Sequence, residues 1–372
     1  MKCFYKIFVA VVAISLAAFY LLNNKSAVTV YVVCDHSKLG EVNMVMSVAE
    51  TVPHICKNYA FLTYVADFKL LSKDLDKNQK NIIVTAGQYG IDFLKTTTPT
   101  KNVKFLLCVH QWFDAMKDLH DISVAIPKHA LNNDIISWAK KQNVELIPTQ
   151  GVLHRMSAKV ISAEDTSIIH MKYAKVGLIL GGDAEMPNGK DWKLFSETNA
   201  HELGLEICEY LKKTGHKILI TNGPRTGAFK DIHNRDPNAH KNGKVDRVSK
   251  AFLNTLEEAG FKQGEHFEFY DFQFGATSAL KAVMAIVHKN KGFMIVPGES
   301  TSSISESIAI MPTVVCRVDS MNAAHESYLN DLADNKLVMQ WPNVPDESKS
   351  SSYVAPESQA LAVVKALLKD VK

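Results

Sequence analysis

Residues 292–309, GFMIVPGESTSSISESIA, hold the densest run of groups suited to an anion. The apolar run 293–296 has the length of a buried parallel strand, and Pro297-Gly298 stops and turns it. Ser300, Thr301, Ser302 and Ser303 then open a helical stripe continued by Ile304, Ile308 and Ala309. A helix N-terminus exposes unpaired backbone N–H groups at the positive end of a dipole, which suits phosphate. Glu306 falls within the first turns, where its carboxylate can accept hydrogen bonds from a ribose. The same serines would equally serve an ordinary capped helix.

Two more turns in this half follow strand-like runs. Gly181-Gly182-Asp183 comes after 176–180, and paired glycines let the backbone approach a ligand closely. Thr221-Asn222-Gly223-Pro224-Arg225-Thr226 closes the run 217–221 and puts an arginine at the sheet edge, suited to a diphosphate. Ligands of doubly wound sheets bind beyond the carboxyl ends of the strands. Gly181, Gly182, Thr221, Arg225, Ser300, Thr301, Ser302, Ser303 and Glu306 therefore form one expected phosphate-binding site, to which the resemblance given below assigns a donor nucleotide.

In the first half, residues 34–41 (CDHSKLGE) set Asp35, His36, Lys38, Gly40 and Glu41 close in sequence, with Asn43 just beyond. A loop with acid, base and glycine can face an acceptor, for which Lys38, Gly40 and Asn43 are the expected contacts. Residues 86–90 (AGQYG) follow the next strand, and Gly151, His154 and Arg155 close this half. Asp35, His36 and His154 are the candidate bases, although His154 and Arg155 would serve equally as structural residues.

Alternating elements must position these turns. Strand-like runs at 28–34, 81–86, 103–109, 122–126 and 144–147 enclose helical candidates near 41–57 and 132–142. A second series at 176–180, 217–221, 266–270, 292–296 and 313–318 carries amphipathic helices near 194–214 and 247–259. Strand, helix, strand repeated twice predicts an α/β chain of two Rossmann-like domains with mostly parallel sheets and a cleft between them. The expected domains are 28–165 for the acceptor and 175–345 for the donor nucleotide. The weakly patterned stretch 156–174 reads as a linker, and 355–372 as a terminal helix with apolar Leu361, Val364, Leu367 and Leu368.

At 372 residues, two cores are expected rather than one. A hydrophobic share of 47% with 22% charged residues is globular, and a net charge of +3 is too small to argue for nucleic acid. The 6 cysteines include no CxxC pair, so they read as buried thiols in a reducing compartment and give zinc no support. Residues 1–27 stand apart. Lys2 and Lys6 precede an unbroken, mostly apolar run at 7–22, followed by Asn23, Asn24 and Lys25. This reads as a secretory signal or an uncleaved anchor; without a good small-x-small cleavage site a single N-terminal anchor is the expectation, with the folded domains on the cytoplasmic side.

Over roughly 29–345 the chain resembles the bacterial and plant family named for the mitochondrial fission factor ELM-one, whose sequences look like GT-B glycosyltransferases. The resemblance rests on Asp35, Lys38, Gly40 and Asn43, on Gly151 with His154-Arg155, and on Gly181-Gly182 after a strand. It rests also on 221–226, on 300–306 followed by Pro312 and Val314, and on His325, Leu329 and Leu332 near the close. The family usually has consecutive basic residues in the threonine-arginine turn, whereas Pro224 precedes Arg225 here, and 230–246 looks like an insertion.

The leading expectation is a membrane-associated GT-B-like glycosyltransferase that moves a sugar from a nucleotide-diphosphate donor to a glycan or lipid. Helix dipoles and Arg225 would stabilise the departing diphosphate, so no cofactor or metal is expected. A non-enzymatic membrane adaptor recruiting a protein partner is the alternative. A third reading takes Gly298-Glu299-Ser300 as half of a nucleophile elbow, with Asp319 and His325 behind it. Asp74-Leu75-Asp76 resembles a metal-binding triplet but sits in a charged, lysine-rich surface run. His233 and His240, with Asp231 and Asp236, suit a metal less well than a flexible polar loop.

Overall fold

Apolar runs of four to seven residues become parallel strands in two separate sheets. The computed structural model describes residues 28–36, 38–56, 59–64, 80–97, 102–186, 191–346 and 353–369. The expected anchor at 7–22 and the Asp74-Leu75-Asp76 triplet lie outside them. Among the described residues no helix is long and apolar enough to cross a membrane. The chain divides into one unit of Met1–Arg155 with Glu357–Lys372 and a second of Met156–Pro356.

The first unit holds β1 (Val28–Val33), β2 (Tyr59–Tyr64), β3 (Lys80–Ala86), β4 (Val103–Cys108), β5 (Ser123–Pro127) and β6 (Glu145–Thr149). Their order is β2-β1-β3-β4-β5-β6, and every pairing is parallel. β1 is buried along its whole length, as expected when helices cover both faces of a parallel sheet. On one face Val30, Val32, Ile82 and Val84 share a core with Val45 and Val48 of α1 (Leu39–Thr51). Val363, Val364 and Leu367 join that core from the last helix, α10 (Gln359–Leu367). Gln359 Oε1 also accepts from the Gln150 amide at 2.7 Å. The terminal segment is thus built into the first unit rather than trailing from the second. On the other face Tyr31, Ile83 and Leu107 pack with Ile91 and Leu94 of α2 (Gly87–Lys95) and Ala139 of α3 (Asn133–Lys141).

The second unit opens with α4 (Ala158–Ser162). Ile161, Ile169, Met171 and Ala174 are buried in its core, so the expected linker at 156–174 packs as part of this unit. Its six-stranded sheet contains β7 (Val176–Ile179), β10 (Ile218–Thr221), β11 (Phe267–Tyr270), β12 (Phe293–Pro297), β13 (Thr313–Cys316) and β14 (Met339–Gln340). A short antiparallel pair, β8 (Ala184–Glu185) and β9 (Trp192–Lys193), follows β7. The order β11-β10-β7-β12-β13-β14 is all parallel and reverses direction between β7 and β12. In chain order that is 3-2-1-4-5-6, the order of dinucleotide-binding sheets, whose ligand crevice opens at the reversal.

α5 (Glu197–Thr214) and α6 (Arg247–Glu258) cover one face through Ile207, Leu211, Phe252 and Leu256. α7 (Leu280–Lys289), α8 (Thr301–Ile308) and α9 (Ala323–Asp334) cover the other through Val283, Ile304 and Leu329. α5 begins at a Ser196–Asn199 capping box and ends at Gly215 in the left-handed region, which fixes both of its ends.

Candidate functional site

The β7/β12 reversal is where the second unit's chemistry gathers. Gly181-Gly182-Asp183 leaves β7 and Gly298-Glu299-Ser300 leaves β12. The Gly182 N–H donates to Glu299 Oε1 at 2.6 Å. A Cβ on Gly182 would stand 3.1 Å from Arg225 Cβ and 3.2 Å from its carbonyl carbon. Arg225 in turn accepts the Asp183 N–H at its carbonyl oxygen, at 2.9 Å. The turns after β7, β10 and β12 therefore meet around Gly182, and its amide is already engaged by a carboxyl.

Glu299 is the group the sequence pattern did not reveal. It is 3% exposed, and its Oε2 is buried with no hydrogen-bond partner. Burial pushes its carboxyl up to about 7, against the Gly182 amide and the Arg225 charge, while Asp183 pushes the same way as burial. Asp183 is fully buried and structural. Its Oδ1 accepts the Phe195 amide and its Oδ2 the Phe229 amide, both at 3.0 Å.

Arg225 is exposed on a turn that is firmly held beneath. Asn222 Nδ2 donates to Asp246 Oδ2 at 3.0 Å, Ser249 Oγ at 2.9 Å and Asp271 Oδ1 at 2.6 Å, and its Oδ1 accepts the Phe272 amide. Thr226 Oγ1 accepts the Gly223 amide at 3.1 Å. Gly227 has φ +59°, and a Cβ there would overlap Asp246 Oδ1, so only glycine suits the position. His240 lies fully buried, not on a loose polar loop: its ring nitrogens face the carbonyl oxygens of Thr226 and Phe272. His240, Asp246 and Asp271 place one atom each within 4.8 Å of one another, the spacing of a metal set. The Asp and His atoms of this set are engaged in the hydrogen bonds just described, which makes the cluster a strut under the arginine turn.

α8 starts beside this point. Ser300 is its N-cap but makes no side-chain capping bond; its Oγ instead donates to Ser303 Oγ at 2.8 Å. No acidic residue lies in the first turn. Ser302 is exposed, Ser300, Thr301 and Ser303 partly so. Glu306 is partly exposed, and burial pushes its carboxyl up to about 7 against the pull of Lys281. Thr221 is buried with its hydroxyl unpartnered, at the end of β10. Gly181 packs its α-carbon against the Phe195 ring.

His325 and Lys193 also belong to this edge. Burial and the Arg225 charge push the His325 imidazole down to about 4, with Lys193 adding to the effect and Glu326 opposing it. Its Nδ1 accepts the Asn322 amide at 3.1 Å, which leaves the proton on Nε2. Asp319 Oδ2 accepts from Asn199 Nδ2 at 2.8 Å. Aspartate and histidine are thus held by different partners, and no Ser-His-Asp relay is assembled on Ser300.

The first unit carries a matching feature at its own reversal, between β1 and β3. Glu41 of α1 lies against Gly87, the first residue of α2, where φ is +59° and a Cβ would overlap Glu41 Oε1. Glu41 Oε2 is buried without a partner, and burial pushes this carboxyl up against the pull of Lys38. Lys38 Nζ reaches Glu41 Oε1 at 3.3 Å, and the Lys38 amide donates to the Asp35 carbonyl at 3.1 Å. Asp35 and Asn43 are partly buried and His36 is exposed in this loop. A Cβ on Gly40 would meet nothing within 4 Å, so no close approach requires glycine there. His154 is partly buried after β6, and Arg155 is paired with Glu50 at 2.9 Å and 2.5 Å.

No protein-family model matches the chain. Comparison with curated proteins likewise finds no match. Among solved structures the chain is similar to the N-terminal domain of Candida albicans trehalose-6-phosphate phosphatase (TM-score 0.47, 10% identity, covering 94% of this chain and 97% of that one). It is similar also to S. aureus MnaA solved with UDP (TM-score 0.45, 9% identity, 92% and 96% covered). A third is UDP-GlcNAc 2-epimerase from Neisseria meningitidis bound to UDP-GlcNAc (TM-score 0.41, 10% identity, 92% and 98% covered).

Proposed function

We propose that the chain is a GT-B-like glycosyltransferase of the ELM-one-like kind, using a nucleotide-diphosphate sugar. The observation that carries this reading is the meeting of three turns at Gly182, on the reversal point of a 3-2-1-4-5-6 sheet. Arg225 and the free first turn of α8 supply positive potential for a diphosphate, and Glu306 supplies an acceptor for ribose hydroxyls. The first unit presents the acceptor, a glycan or lipid hydroxyl, near Asp35, Lys38 and Asn43. In the transfer the acceptor oxygen bonds to the anomeric carbon as the bond from that carbon to the diphosphate oxygen breaks. The hydroxyl proton passes to a general base, for which Asp35, His36 and His154 are the first unit's candidates, and in the second unit the new charge on the diphosphate is stabilised by Arg225. The apolar run at 7–22 would hold the enzyme at a membrane.

Calorimetric titration with a panel of UDP-, ADP- and GDP-sugars tests the donor site. The expected result is saturable binding of at least one nucleotide sugar by the wild type, with loss in Arg225→Ala. No binding by the wild type, or equal binding by that variant, removes the assignment.

A further inference from the structure

We propose that Glu299 is a positioning residue for the diphosphate: it holds the Gly182 turn through Oε1, and anion binding is coupled to uptake of one proton on its carboxyl. The inference rests on the donor-site reading and adds to it a charge-sensing element.

The geometry argues as follows. Glu299 is rooted immediately before α8, whose first turn carries no acid, and it bonds the amide of the turn that abuts Arg225. One carboxyl oxygen is thus committed. The other, Oε2, is buried and partnerless, a costly state for a charged oxygen and a milder one for a hydroxyl. The charged and titratable groups facing this carboxyl are Asp183 from the turn after β7, Arg225 from the turn after β10 and Cys316 at the end of β13. Asp183 is a second buried acid, so Arg225 is the single cation in that set.

When Glu299 is ionised, part of the Arg225 field is spent on it. A diphosphate placed beside Arg225 and the α8 N-terminus adds negative charge to the same small volume. That addition favours the neutral carboxyl, which keeps its Oε1 bond to Gly182 and leaves Arg225 to the ligand. The proton comes from solvent and resides on Oε2. Burial has already brought this group to about 7, so the exchange falls in the neutral range.

The test uses the full chain and the nucleotide-diphosphate sugar that binds it. The two phosphates of such a sugar are diesters and hold constant charge across the neutral range. Affinity of the wild type is expected to weaken as pH rises above about 7, by up to roughly tenfold per pH unit, because each binding event then requires a proton. Glu299→Gln keeps an oxygen for Gly182 and should lose the part of the pH slope that comes from this proton, leaving only what Glu306, whose carboxyl also stands at about 7, contributes. Measured at about pH 7 in two buffers of different ionisation enthalpy, wild-type binding should take up about half a proton. Zero uptake with a flat wild-type profile overturns the proposal whether or not the variant folds. An equal pH slope in wild type and a folded Glu299→Gln also overturns it. If the wild type binds no nucleotide sugar under any condition, the donor-site reading itself fails and this inference with it.

Discussion

His240 Nε2 lies 2.7 Å from the carbonyl oxygen of Thr226, the residue next to Arg225. The imidazole is fully buried, and its other nitrogen faces Phe272 O at 3.1 Å. It ties the arginine turn to the segment after β11. His240→Ala removes both contacts and opens a hole, for which we expect a loss of about 2–4 kcal/mol in unfolding free energy. Urea melts of the two proteins measure it. A change below about 0.5 kcal/mol, the size typical of surface substitutions, would show that the strut is not needed.

Much of the second unit was legible because parallel strands covered on both faces read as continuous apolar runs, and 176–180, 217–221 and 292–296 were such runs. The three turns behind them were visible for the same reason. Glu299 was not, since a glutamate between Gly298 and Ser300 looks like any loop acid until a fold buries it. His240 was hidden by its neighbours: a histidine among Lys, Asn, Asp and Gly reads as solvated, and tertiary packing overrode that composition. Residues 156–174 lack a clear period because short irregular pieces, not long elements, carry Ile161, Ile169 and Met171 into the core. Strand β2 went unread because YAFLTY is short and its apolar pattern is broken by Thr63.

Arg225 is exposed, so its removal should affect binding and leave stability alone. Arg225→Ala is expected to weaken nucleotide-sugar binding roughly tenfold to a hundredfold, the range for a lost charge-assisted hydrogen bond of about 1.5–3 kcal/mol. Thermal melts without ligand should coincide with the wild type within about 1 °C, since exposed substitutions shift stability little. A clear drop in the unliganded melting temperature would show that the arginine is structural.

Gly40 and Gly87 stand close to the same loop and should respond oppositely to alanine. Gly87 has φ +59° and no room beside Glu41, so Gly87→Ala should cost at least about 1–2 kcal/mol. Gly40 lies inside α1 with open space around its α-carbon. Gly40→Ala should be neutral or stabilise by up to about 1 kcal/mol. Denaturant melts of both variants read the contrast directly. If Gly40→Ala also abolishes transfer to an acceptor while remaining stable, the glycine is needed for substrate rather than for the helix.

Glu299 should contribute a loss of stability as pH rises from the acid range to neutrality, while His325, held down to about 4 in the folded chain, contributes a gain between about 4 and its ordinary value. The folded Glu299 carboxyl stands at about 7, above the ordinary value of 4.5 that it has in an unfolded chain. Below the ordinary value both states are protonated and the contribution is fully present. Between the two values the unfolded chain loses its proton while the folded chain keeps it, so unfolding gains ground. The contribution is gone once pH has risen through about 7, with a total of about 3 kcal/mol as an upper bound. Glu306 shifts in the same direction over the same window, so single substitutions are required to separate them. Urea melts across that range should show a smaller loss in Glu299→Gln than in the wild type, with the advantage of the variant growing toward alkaline pH. Parallel curves for wild type and variant would mean that Glu299 is no more costly to ionise in the folded protein than in water.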